Sequence, residues 1–265
     1  MGWRPATSCD TAAMAIVELE VRDRVAVVTL NDPDRRNAVS HQVNAALVAA
    51  LDEVDERDDV GAMVLTGHGA AFCAGAVLDD LAGCQSAAEL RSIYGGFLRL
   101  DSMTVPTIAA VNGPAVGAGM NMALACDVIL AGHSARFDTR FLQLGVHPGG
   151  GHTWRLERLV GRQAVTAMVL FGEVLDGDQA AARGLAWRCV DDETLLSAAV
   201  ALAGHAAAAP PELVQAIRTT LVRMDDVADP EAAMAVELEP QWASMQSDAF
   251  KALVARMQAR ISSKP

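Results

Sequence analysis

The stretch Val105–Asp127, VPTIAAVNGPAVGAGMNMALACD, decides how this chain folds. Val105–Val111 is a run of small and branched apolar residues closed by Asn112-Gly113, which reads as a strand buried on both faces. Pro114–Gly119 follows as a glycine-rich turn, and the apolar residues of Gly119–Ala125 continue as a buried helix. No charge lies between Asp101 and Asp127, so the run has the length of a membrane span. Its prolines, asparagines and glycines would leave backbone groups unpaired in lipid, and no membrane insertion is expected. Strand, tight turn and helix together form the repeating unit of α/β proteins, whose ligands sit at strand ends.

The same unit recurs on either side. Ala62–Thr66 is an apolar strand ending at Gly67, and the loop HGAAFCAGAVLDDL leads from it to a helix spanning Ala87–Leu100. Earlier still, Ile16–Val21 and Val25–Leu30 read as two short strands joined at Arg22-Asp23-Arg24. The loop NDPDRRNA then precedes a helix with Ser40 as N-cap and Val43, Ala46, Leu47, Ala50, Leu51 and Val54 at helical spacing. Val128–Ala131 is a further strand ending in glycine.

After the loop LGVHPGGGH the pattern becomes helical: His152–Val160, Gln163–Leu170, Gly177–Arg183, Thr194–Ala208, Pro211–Arg223, Glu231–Met245 and Ser247–Arg260. Only Glu173–Leu175 and Ala186–Val190 read as short strands there. The expected organisation is a tail over residues 1–13, an α/β body over 14–200 and a helical region over 201–265. Alanine-rich helical hairpins of this kind dock on a neighbouring chain, so an oligomer is expected.

Composition narrows the function. With 265 residues and 52% apolar content the chain can fill one large core. A net charge of −12 argues against a nucleic-acid surface, and 4% aromatic content leaves few platforms for stacking bases. Five scattered cysteines, with no CxxC pair, suggest neither a zinc site nor a disulfide framework. They fit a reduced cytoplasm, and the N-terminus lacks the basic and apolar succession of a secretory signal.

Two loops have the character of a shared site: Ala70–Leu78 and Pro114–Gly119, each with small residues where backbone must approach something closely. A helix starting near Ala118 offers free N–H groups, and a second N–H near Ala76 would complete a pair aimed at one oxygen. The same loops read equally well as tight turns beneath packed helices. GAGMNM lacks the last glycine of a dinucleotide fingerprint, and no P-loop, GxSxG or HExxH motif is present. His147 and His152 flank a glycine run at a spacing unsuited to a metal, so no metal is expected. His147 is then either a polar loop residue or a proton carrier, since imidazole is the side chain that changes charge near neutrality.

AAFCAGAVL and PTIAAVNGPAVGAGMNMALACDVILAG resemble the two signature loops of the enoyl-CoA hydratase/isomerase family, the crotonase superfamily. PDRRNAV, ARFDTRFLQLGVHPGGGHTWRLERLVG and GEVLDGDQAAARGLAWRCV support the resemblance, which runs from about Ile16 to Val190. It implies an α/β spiral of repeated ββα units with a C-terminal helical trimerisation region, a homotrimer or dimer of trimers, and an acyl-CoA thioester as ligand. No separate cofactor is implied, because coenzyme A is part of the substrate. By position, the oxyanion-hole N–H groups fall at Ala76 and Ala118. Ala74, Ala76, Val77, Leu78, Asp79 and Ala118 would line the thioester channel, with Arg36 and Ala38 near the nucleotide end.

The departures bear on the reaction. The two glutamates that flank the double bond in the family's hydratases fall at Asn121 and Phe141, and the aspartate that often follows the first oxyanion-hole residue falls at Val77. Asparagine can hydrogen-bond a water but cannot take its proton, and phenylalanine can do neither. A positioned acid or base is worth on the order of 10² to 10⁴ in rate and an oxyanion donor roughly 10² to 10³. The expectation is therefore a protein of this family, hydratase by similarity, that binds an acyl-CoA and stabilises its enolate but hydrates poorly. If it is a lyase or isomerase, His147 is the first substitute proton carrier and Asp138 the second. The alternative is a non-catalytic acyl-CoA-binding protein.

Overall fold

A computed structural model of the chain describes residues 15–262; the expected tail over residues 1–13, with Cys9, lies outside them. β1 (Val17–Arg22) and β2 (Val25–Leu30) form an antiparallel hairpin. Asp23 and Arg24 turn it with φ of 48° and 65°, the left-handed pair that matches the twist of a two-residue hairpin. α1 (His41–Asp55) starts where expected: the Ser40 hydroxyl accepts from the Val43 N–H, and Val43, Leu47, Leu51 and Val54 are buried along one face. Next come β3 (Ala62–Gly67), α2 (Leu78–Gly83), α3 (Ala87–Ser92), α4 (Gly95–Asp101), β4 (Thr107–Val111), β5 (Pro114–Val116), α5 (Ala118–Leu124), β6 (Val128–Gly132) and β7 (Arg136–Asp138). The chain continues through α6 (His152–Phe171), β8 (Leu175–Asp176), α7 (Gly177–Ala182), β9 (Arg188–Val190) and α8 (Leu195–Ala207).

The larger sheet has the order β1-β2-β3-β4-β6-β9 and is parallel beyond the first hairpin. Every residue of β3 and β4 is buried. One face of the sheet packs on α8, whose Leu195, Ala199 and Ala203 meet Val25, Val64, Ile108 and Leu130. The other face joins the main core with α1 and α5. Coverage on both sides explains why these strands are continuously apolar. A second sheet, β5-β7-β8, lies beside the first.

The small elements differ from the sequence expectation. β5 lies within the expected turn and β7 was not expected; strands of three residues carry no readable period and exist by pairing with each other. β8 is shifted to Leu175–Asp176. The expected helix over Ala87–Leu100 is two helices, because the chain at Gly95-Gly96 runs against Asn44, whose Oδ1 accepts from the Gly96 N–H at 2.7 Å. The two helices expected on either side of Gly161 are both present: α6 is a pair broken at that glycine, whose backbone is not helical (φ 74°, ψ 164°).

α9 (Pro211–Met224) and α10 (Pro230–Gln246) contain no buried residue, and α11 (Asp248–Ser262) ends the described chain. Ile217, Leu221, Val222, Leu238, Trp242 and Ile261 stand exposed on these three helices. No single helix among the described residues is long and apolar enough to cross a membrane.

Candidate functional site

Three chain segments run side by side at the site. Ala74 N–H donates to Arg36 C=O, and Val39 N–H to Gly75 C=O, while Val77 N–H returns to Val39 C=O. On the other side Cys73 N–H donates to Pro114 C=O and Val116 N–H to Cys73 C=O. The buried Asn37 anchors the first segment: its Nδ2 donates to His68 C=O (3.0 Å) and Ala71 C=O (2.8 Å), and its Oδ1 accepts from Asp32 N–H (2.9 Å). Gly119 is where the loops touch; a Cβ there would lie 2.2 Å from the Cys73 carbonyl oxygen.

This lacing decides where Ala76 points. Gly75 and Val77 make the ladder bonds to Val39, so the alternation of a strand turns the Ala76 N–H to the opposite side. Ala118 opens α5, where an N–H has no intrahelical acceptor. Neither N–H has a hydrogen-bond partner among the described residues. Each alanine follows a glycine with positive φ, Gly75 at 99° and Gly117 at 50°. Alanine is therefore tolerated at both donor positions.

Ala76 and Ala118 line one cavity of about 710 Å³. Of the residues singled out from the sequence, Ala74, Leu78, Asn121, Phe141 and His147 share that wall. Arg36, Ala38, Val77 and Asp79 are not on it; the Arg36 backbone carbonyl accepts from the Ala74 N–H, and Asp79 lines a smaller adjoining depression with His41 and Glu89. Asp138 is buried and is not on the cavity wall; it is paired with Arg140, which is on the wall and whose Nε donates to its Oδ2 at 2.8 Å.

Two residues were not recognised from the sequence. Tyr94, the single tyrosine, lines the cavity against Gly149, where an added Cβ would stand 2.4 Å from its hydroxyl, and its ring is 5.2 Å from that of Phe97. Its uniqueness was a usable signal. His152 read as a loop residue or helix start, yet it is 1% exposed, and its Nδ1 lies 2.8 Å from Asn121 Oδ1. The Phe141 ring meets it edge-on at a centroid distance of 4.9 Å. Burial, with a smaller contribution from the Arg155 charge, pushes the His152 imidazole down to about 4. Its Nε2 has no partner. His147 is exposed, and its Nδ1 lies 2.7 Å from Pro148 C=O; in the neutral ring the N–H sits on that nitrogen and Nε2 carries the lone pair. Arg155 pins the intervening loop by donating to Gly150 C=O at 2.7 Å and pairing with Asp101.

Away from the cavity, one group among the described residues has ligand atoms within 4.8 Å of one another: His133, Asp178 and Cys189. The four described cysteines are all unpaired.

Layered ββα turns, two free alanine N–H groups on one cavity and a glycine-rich loop across from them define a class. The chain belongs to the family described as enoyl-CoA hydratase/isomerase, whose sequence profile matches residues 20–259. It is 48% identical over 252 residues to the Mycobacterium tuberculosis (strain ATCC 25618 / H37Rv) protein named probable enoyl-CoA hydratase EchA14, covering 92% of this chain and 98% of that one. It is also 36% identical over 204 residues to the 1,2-epoxyphenylacetyl-CoA isomerase of Escherichia coli (strain K12), covering 74% and 78%. Among solved structures, an enoyl-CoA hydratase subunit from Geobacillus kaustophilus HTA426 superimposes with a TM-score of 0.84 at 31% identity, over 92% of this chain and 95% of that one. The family resemblance read from the motifs is thus upheld, and the match extends into the C-terminal helices.

Proposed function

We propose that the protein binds an acyl-CoA thioester with its carbonyl oxygen between the N–H groups of Ala76 and Ala118, and stabilises the enolate without the two-carboxylate chemistry of efficient hydratases. The observation that carries this reading is the pair of unpartnered N–H groups on a single cavity. Hydrogen bonds in place before charge develops cost no reorganisation during reaction, which makes such a pair effective. Where a hydratase of this family would carry its two glutamates, this cavity has an amide and a phenyl ring. With no carboxylate there to take a proton from water, the free Nε2 of His147 is the group on the wall suited to that transfer. Coenzyme A enters as part of the substrate and no further cofactor is invoked.

A second reading, a non-catalytic acyl-CoA carrier, is favoured by Phe141, which occupies cavity wall with an apolar ring. The exposed apolar face of α9–α11 supports assembly with further copies of the chain, a trimer or a dimer of trimers. Unpaired cysteines support a cytoplasmic setting.

Titration calorimetry with butanoyl-CoA and a spectrophotometric assay of trans-2-butenoyl-CoA hydration test the proposal together. Saturable binding is expected, with hydration at least about 10²-fold slower than an efficient hydratase. Fast hydration would overturn the reading of the reaction, and absence of binding the reading of the ligand.

A further inference from the structure

Three parts of the fold that are far apart in the chain meet beside β9, the edge strand of the larger sheet. β9 pairs with β6 so that Cys189 lies next to Ala131, two residues before His133. The first turn of α7 supplies Asp178, and it is held in place because Asp176 caps that helix, accepting from the Gln179 N–H at 2.8 Å. Gly177 lets the thiol come close: a Cβ there would stand 2.8 Å from Cys189 Sγ and 2.2 Å from the Gly132 carbonyl oxygen. His133 Nδ1 is then 3.1 Å from Asp178 Oδ2 and 3.4 Å from Cys189 Sγ, and the three ligand atoms lie within 4.8 Å of one another. On the other side of the ring, Nε2 is 3.5 Å from Asp191 Oδ1. None of these residues lines the cavity of Ala76 and Ala118.

An imidazole, a carboxylate and a thiol converging on one point are a donor set of the zinc type. Bonds of about 2.0 Å to nitrogen or oxygen and about 2.3 Å to sulfur, at tetrahedral angles, set such ligand atoms about 3.3 and 3.5 Å apart. The observed separations of 3.1 and 3.4 Å are close to these. Among the described residues neither Asp178 nor Asp191 has an ion pair with lysine or arginine, so no fixed cation competes for the carboxylates. We propose that His133, Asp178 and Cys189 bind a zinc ion, with Asp191 orienting the imidazole and a water completing the tetrahedron. The ion takes the Nδ1 lone pair, the ring proton moves to Nε2 and is donated to Asp191, and the thiol releases one proton as it becomes the thiolate ligand. His133 and Asp178 are exposed, which leaves the site open to entry from solvent. Bound there, the ion clips α7 and β9 to the end of β6 and stabilises the fold through its own affinity. The ligands stand too far apart in the chain to form any zinc motif.

The test uses the full chain, stripped of metal with a chelator and titrated with Zn²⁺ by calorimetry and, separately, with Co²⁺ by absorption. The wild type is expected to take up one equivalent of either ion, to show a thiolate-to-cobalt charge-transfer band with the strong visible bands of a tetrahedral ion, and to melt at a higher temperature with zinc. Cys189→Ser should lose the charge-transfer band and bind zinc more than about 100-fold more weakly, beyond the cost of losing an outer partner. His133→Gln alters an exposed side chain and should weaken zinc equally, which covers the case of a Cys189→Ser protein that does not fold. Asp191→Ala should keep the band and lose about 10- to 100-fold in affinity. A Cys9→Ser/Cys84→Ser variant, which removes thiols outside the cluster, should behave as the wild type. A wild type that binds neither ion, a band or affinity that survives in Cys189→Ser or His133→Gln, or a band lost in the Cys9→Ser/Cys84→Ser variant overturns the proposal. The acyl-CoA reading is untouched by any of these outcomes, because the two sites share no residue.

Discussion

Asn121 and His152 are joined by a 2.8 Å hydrogen bond between two side chains, each almost wholly buried. The pair is neutral: burial first, and Arg155 second, hold the imidazole at about 4, against 6.5 for an exposed histidine. Below 6.5 the unfolded chain takes up a proton that the folded chain refuses until about 4. The stability this site contributes is thus complete above pH 6.5 and is lost as pH falls toward 4, by about 3 kcal/mol for a difference of this size. Urea unfolding of wild type and His152→Gln at pH 7 and pH 4 isolates the effect. The wild type should lose about 3 kcal/mol more than the variant over that interval, and equal losses would show that His152 is not buried as a neutral ring.

Ala118 allows one oxyanion donor to be deleted with little harm to the fold, because proline is accepted at the first position of a helix, where the N–H has no intrahelical use. Ala118→Pro is expected to retain a melting temperature close to that of the wild type. Its turnover of a responsive thioester should fall by roughly 10² to 10³. Unchanged turnover would remove Ala118 from the site.

Gly119 sets the distance between the two loops. In Gly119→Ala the new methyl would have to share space with the Cys73 carbonyl, from which a Cβ would stand only 2.2 Å away. The gain in helix propensity is about 1 kcal/mol, and the overpacking outweighs it. A net destabilisation of about 2 kcal/mol or more is expected by denaturant unfolding, together with weakened butanoyl-CoA binding.

His147 has one nitrogen committed to Pro148 and one free. If it moves the proton in turnover, His147→Ala should lower kcat by about 10² to 10⁴ while leaving thioester affinity within a few-fold. Full turnover in the variant would shift attention to the Tyr94 hydroxyl, which lines the same cavity.

The C-terminal helices carry Leu238 and Trp242 at 57% and 60% exposure. Replacing both by aspartate should convert an assembled species to monomer in analytical ultracentrifugation, since a large apolar face left in water is covered in a stable protein. A wild type that sediments as a monomer would contradict the assembly reading.

The sequence by itself determined the long central strands β3 and β4, because they are buried on both faces and so had to be continuously apolar, and it determined α1, because Ser40 and the spacing of Val43, Leu47, Leu51 and Val54 are local signals. It also pointed to the two donor loops, since glycine beside alanine marks a close backbone approach whatever the distant partners are. Only the tertiary structure decided that Gly75 and Gly117 take the positive φ, which leaves Ala76 and Ala118 free to be alanine. Only it showed that Val77 and Asp79 turn off the cavity wall while Tyr94 turns onto it. The pairing of Asn121 with His152 was unreadable from either residue, because it is fixed by the carbonyl of Gly149 and by burial against Phe141, contacts 11 to 31 positions apart with no local pattern. Local propensity records what a residue does with its neighbours in the chain. The orientation of a buried amide depends on which acceptors and donors the fold sets around it.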